Sequence, residues 1–153
     1  MTDATSRQIL SHLSDEDFAG REIELARVQS LARTVSQTPA SDPRPNALLL
    51  GAPRVGKTEI LRKCFDRLFN EGGEPLPFYY ALQRSCLSPE KFARDYFSQF
   101  LAQFIAFRRN DPKLIATADE PLAVINRAAP AEDYLCVRSL VDSFARALQS
   151  GEP

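Results

Sequence analysis

The sequence predicts an α/β fold with a helical segment on its C-terminal side, and three observations carry that expectation. A short apolar run from Ala47 to Leu50 leads directly into a glycine-containing stretch, GAPRVGKT, at residues 51–58. Behind it Ile60, Leu61, Cys64, Phe65, Leu68 and Phe69 recur at helical spacing until Gly72 and Gly73, so a strand, a turn and a helix follow in direct succession. A second run, Phe78 to Leu82, has the aromatic content of a strand and is followed by further helical periods.

The elements before the glycine stretch are read from break signals and period. Residues 1–14 are polar and weakly patterned, which predicts a frayed or partly helical lead. Gly20 is a break, after which Leu25, Val28, Leu31, Ala32 and Val35 mark one face of a helix from about Arg21 to Val35. The stretch from Ser36 to Asn46 holds Pro39, Pro43 and Pro45 without an apolar period, as expected of a linker into the first strand.

Beyond the second run, Ser88, Pro89 and Glu90 form a helix start, with a capping serine and a proline whose missing N–H costs nothing in the first turn. The helix they open carries Phe92, Tyr96, Phe97, Phe100, Leu101, Phe104 and Ile105 and is expected to end near Asn110. That aromatic stripe has core spacing and is read as packing. Asp111 and Pro112 restart a short helical piece, a further short helix is expected over 121–128, and a longer one over 131–149 with Val137, Leu140, Val141, Phe144, Ala145 and Leu148 in period.

Composition bounds the function. A chain of 153 residues with 44% hydrophobic and 25% charged side chains has room for one domain with a sizeable core. A net charge of −1 makes no electrostatic case for nucleic acid or an anionic membrane. Apolar stretches are too short to span a bilayer and the start MTDATSRQ does not resemble a signal peptide, so a cytoplasmic location is the expectation. Cys64, Cys86 and Cys136 lie too far apart for a CxxC-type metal motif and are read as reduced thiols. His12, the single histidine, is expected in a surface or capping role.

The chemistry lies in residues 51–58. Gly51, Ala52, Pro53, Arg54, Val55, Gly56, Lys57 and Thr58 fill every fixed position of GxxxxGK(S/T), the phosphate-loop or Walker A pattern. Glycine without a Cβ lets backbone N–H groups close around a phosphate chain. Lys57 is placed to reach the β and γ oxygens, Thr58 to give a hydroxyl to Mg²⁺, and the helix that begins here aims its N-terminal dipole at the anion. The phosphates of a nucleotide and magnesium are therefore the expected ligands.

Taken with FAGREIEL at 18–25, the proline-rich link and the apolar run, this loop resembles the front of AAA+ and STAND-type P-loop ATPases, nearest to the archaeal-type and origin-recognition-like groups. The resemblance covers about residues 15–85. It implies a partial three-layer αβα P-loop NTPase fold, with residues 1–45 as an N-terminal helix and linker and 46–153 as the N-terminal half of the ATPase domain. It also implies a base-side role for Phe18, Gly20 and Arg21, and Arg54 matches a basic residue frequent in those loops. That class needs an aliphatic strand ending in Asp-Glu to hold Mg²⁺ and polarise water. Asp119 and Glu120 supply an acidic pair, but a weak run precedes them and Pro121 follows, and Ser139 to Asp142 sits inside a helical period, so the chain is expected to end before that strand.

The expectation is ATP binding that switches an attached effector domain or a homo-oligomer, with little hydrolysis by this chain alone and unpaired parallel strands if it is isolated. Two other classes share parts of the pattern. A small-molecule kinase would use the same loop, and a non-catalytic interaction fragment would use the aromatic helix at 90–109.

Overall fold

The computed structural model describes residues 7–39, 41–82 and 88–115, and these build helices: α1 (Glu22–Gln37), α2 (Lys57–Glu71), α3 (Pro89–Arg109) and a 3₁₀ turn (Pro112–Ile115). The contacts divide the chain into two compact units, Met1–Tyr79 and Tyr80–Pro153.

The α/β expectation, and with it the three-layer αβα arrangement, is overturned: among the described residues there is no strand and no sheet. A strand's N–H and C=O groups need a ladder partner, and residues 78–82, like 47–50, form no strand. Residues 47–50 run without regular structure. Leu49 packs against the core while Leu48 and Leu50 stay 79% and 81% exposed. In the run at 78–82 the side chains find helices instead. The Arg62 guanidinium lies 5.9 Å from the Tyr79 ring centroid, and Tyr80 belongs to the packing of α3.

In the first unit, α1 starts where Glu22 Oε1 accepts the Gly20 N–H, and Glu22 and Glu24 complement the dipole in its first turn. Its last turn holds no basic residue. Arg44, returning from the proline-rich linker, donates instead to the carbonyls of Val35 (2.8 Å) and Thr38 (2.7 Å), supplying the cation and donors that this end lacks. The core forms between α1 and α2 from Phe18, Leu25, Ile60, Cys64 and Leu68, with Val28, Ala32 and Leu49 against it. Burial pushes the Cys64 thiol up to about 11, so it acts as a small apolar residue. Arg33 donates to both oxygens of Glu71 at 2.8 and 2.9 Å, joining the two helices on the outside. Gly72, at φ +69°, ends α2 with its N–H on the Leu68 carbonyl.

In the second unit, Ser88 Oγ accepts the Lys91 N–H and Pro89 opens α3 as the sequence suggests, and Asn110 at φ +52° closes it. Ala93, Phe97, Leu101, Ala102 and Ala106 are buried along it. Tyr80 donates its hydroxyl to Asp95 Oδ2 at 2.8 Å and meets Phe92 and Tyr96 edge-on, so the aromatic stripe serves packing along this part of the helix. The expected helices at 121–128 and 131–149, the pair Asp119 and Glu120, and Cys86 and Cys136 lie outside the described residues.

Candidate functional site

Residues 51–58 fold as a tight turn that passes straight into α2. Gly51 has φ +155°, Arg54 lies in the left-handed region at φ +63°, and Gly56 is the N-cap of α2 at φ +87°, ψ 7°. For Arg54 this conformation costs about 1 kcal/mol, which the surrounding turn must offset. Space as well as φ restricts position 51, where an added Cβ would come within 3.2 Å of Val55 Cγ2.

Because the N-cap is a glycine, no side chain caps α2. The helical ladder begins with Ile60 N–H on the Gly56 carbonyl at 3.0 Å, so the amides of Lys57, Thr58 and Glu59 precede it. First-turn donors of this kind carry the positive end of the helix dipole. Lys57 folds back over the turn and donates to the carbonyls of Gly51 (2.8 Å) and Ala52 (2.6 Å). Two of its three ammonium donors thus close the loop. Gly51, Ala52, Pro53, Arg54 and Thr58 are exposed, and Val55, Gly56 and Lys57 are half-buried.

The three residues with an expected base-side role are placed apart from one another in function. Phe18 is buried in the α1–α2 core, Gly20 makes its turn at φ +79°, and Arg21 pairs with Glu24 at 2.9 Å on the surface.

Sequence reasoning missed what lies on the other side of α2. Of the expected frayed or partly helical lead, the described part is instead a strap: residues 7–13 run antiparallel to α2 along a polar stripe made by Glu59, Lys63, Asp66 and Asn70, which share one helix face, and Asp15 turns back to Lys63. Asn70 exchanges hydrogen bonds with Arg7. Asp66, only 1% exposed, accepts three consecutive backbone N–H groups, from Ile9 (3.1 Å), Leu10 (2.8 Å) and Ser11 (3.1 Å). Lys63, 2% exposed, donates to the Leu13 carbonyl at 3.0 Å and pairs with Asp15 at 2.8 Å. The Lys63 hydrogen bond, opposed by burial and supported by the charges of Lys63 and Arg67, holds the Asp15 carboxyl below its ordinary range.

Glu59, directly after Thr58, gives Oε1 to the Ser11 hydroxyl (2.7 Å) and to the N–H groups of His12 and Leu13. Burial raises its pKa, but the bonds from Ser11, His12 and Leu13 and the neighbouring His12 outweigh that and lower it overall. His12 itself is exposed and contributes its backbone to this contact.

Among the described residues no group of three or more His, Cys, Asp or Glu could hold a metal ion. No helix among the described residues is long and apolar enough to cross a membrane. Comparison with known proteins finds no family model, no curated protein and no solved structure that matches the chain.

Proposed function

We propose that residues 51–58 bind the phosphates of a nucleoside triphosphate, ATP in the first instance, together with Mg²⁺. The observation that supports this most is the pairing of an uncapped helix start with a lysine already folded over the loop: Gly56 in the left-handed region opens α2, and the Lys57 ammonium closes the turn on Gly51 and Ala52. A phosphate chain seated there meets backbone N–H groups, the helix dipole and a cation at once. The ammonium gains a charge-assisted partner beyond its two neutral carbonyls. Thr58 would hold the magnesium, whose chemistry is to screen the charge between β and γ oxygens.

The preference for adenine rests on the resemblance of FAGREIEL and GAPRVGKT to AAA+ and STAND-type ATPases, in which nucleotide state switches an attached module. The loop and its helix carry the reading, and no sheet is part of it. Hydrolysis is not, since the acid that would polarise water has no counterpart among the described residues around the loop.

The test is calorimetric titration with ATP, ADP and GTP in the presence of Mg²⁺, for the chain and for Lys57→Ala, with phosphate release followed in parallel. Saturable binding of ATP, lost in Lys57→Ala and accompanied by little release, is the expected result. A folded chain that ignores all three nucleotides refutes the proposal, and transfer of phosphate to a small acceptor would favour a kinase instead.

A further inference from the structure

The stripe of Glu59, Lys63, Asp66 and Asn70 along α2 meets main chain almost throughout. Asp66 accepts the N–H groups of Ile9, Leu10 and Ser11, and Glu59 accepts those of His12 and Leu13, so consecutive backbone donors from 9 to 13 are all taken by two carboxylates. Lys63 donates to the Leu13 carbonyl and Asn70 to that of Arg7. Successive N–H groups converging on one anion make a backbone nest, and here the protein supplies the anion itself.

Side chains of the strap add little to this recognition. Arg7 Nε donates to Asn70 and Ser11 Oγ to Glu59, whereas Gln8, Ile9, Leu10 and His12 give the stripe no side-chain hydrogen bond among the described residues. Gln8 and His12 are exposed, and Ile9 and Leu10 are half-buried. Binding of this kind does not depend on a covalent link, because any copy of the segment carries the same donors and acceptors.

We infer that this face of α2 is a peptide-binding site that reads main chain, filled in cis by residues 7–13 and open to the same segment of a second copy once the cis strap is displaced. Its ligand class is a proline-free peptide with a hydroxyl at the position of Ser11, since a proline anywhere from 9 to 13 removes an N–H that Asp66 or Glu59 accepts. The strap is a tethered ligand and not a part of the core. None of residues 7–13 belongs to the α1–α2 core, whose first member is Phe18, beyond the turn in which Ser14 Oγ accepts the Asp17 N–H. Detachment leaves that core packed and opens Asp66 and Lys63 to a second peptide. The site stands whether or not residues 51–58 bind phosphate.

The probe is a peptide of residues 7–15, labelled with fluorescein at its N-terminus and amidated at its C-terminus, which stands in for that segment of a second copy. It is titrated into the full chain carrying Leu10→Pro, which removes the shortest of the bonds to Asp66 and loosens the cis strap. Saturable binding by fluorescence anisotropy is expected. The parent chain, whose own strap competes at high effective concentration, should bind at least about tenfold more weakly. Adding Asp66→Ala to the loosened chain should also weaken binding at least about tenfold, the factor that one hydrogen bond to a charged group carries, and N-methylation of the peptide at Leu10 should do the same. A peptide with Gln8→Ala and His12→Ala should bind within about threefold of the original.

If the Leu10→Pro chain does not fold, Ile9→Pro loosens the same contact and takes its place. A folded, loosened chain that ignores the peptide overturns the inference, and so does equal binding by the loosened and parent chains. Binding undiminished by Asp66→Ala or by N-methylation would place the peptide elsewhere and overturn it too. Binding abolished by the two alanines would mean that side chains are read instead of main chain, with the same consequence.

Discussion

Asp66→Ala is also the sharpest probe of the fold. The carboxylate is nearly inaccessible and accepts three backbone N–H groups at 2.8 to 3.1 Å. A hydrogen bond to a charged group contributes about 1.5–3 kcal/mol net, so a simple sum for three would reach about 5–9 kcal/mol. The loss cannot be that large, because a strap that detaches returns its amides to water. The ceiling is the free energy of docking the strap, and about 3 kcal/mol is a reasonable share for its central anchor.

That figure corresponds to roughly a hundredfold faster exchange of the Ile9, Leu10 and Ser11 amides, measured by hydrogen exchange with NMR detection. Amides in the middle of α1 and α2, whose shared core does not involve the strap, should change far less. Exchange at 9–11 altered by less than about threefold would refute the assignment of Asp66 as the anchor.

Three further outcomes follow from the same contacts. Asp15→Ala should destabilise the first unit by about 2–3 kcal/mol in urea unfolding because it strands the buried Lys63 ammonium, whereas Lys63→Met, which leaves the half-exposed Asp15 to water, should cost less; the reverse order would contradict the pairing. Gly56→Ala meets open space but must hold φ +87°, so it should cost about 1–2 kcal/mol in thermal unfolding, and a neutral result would mean the loop takes another conformation. Folding lowers the pKa of both Asp15 and Glu59 from ordinary values of 3.8 and 4.5, so their contribution is fully present above about pH 4.5 and is lost as pH falls through the lowered values. Strap protection, corrected for intrinsic exchange, should hold from pH 7 to about 4.5 and decline below that, and a decline already at pH 6 would point to another group.

Helices were readable where a local signal and a period agreed. Ser88 with Pro89 marks the start of α3, the glycines at 72 and 73 mark the end of α2, and Leu25, Ile60, Cys64 and Leu68 sit in the core as their spacing suggests. Strands were not readable, because a run such as Leu48 to Leu50 is only a strand if something pairs with it, and pairing is not a local property. Leu61 shows the same limit within a helix, in period with the core yet 42% exposed.

The loop's backbone was legible from Gly56 and Lys57. The strap was not. Glu59, Lys63, Asp66 and Asn70 form a stripe that in most helices faces solvent, and nothing in ILSHLSD announces that its amides will be the partners of buried charges. Only the folded arrangement shows that the stripe is covered.

The central question is whether the loop at 51–58 takes phosphate. Titrating Mg-ATP into the chain and into Lys57→Ala, with circular dichroism showing that both are folded, tests it most directly. Saturable binding by the parent that drops at least tenfold in Lys57→Ala is the expected result. Equal binding by the two, or none by a folded parent, would contradict it.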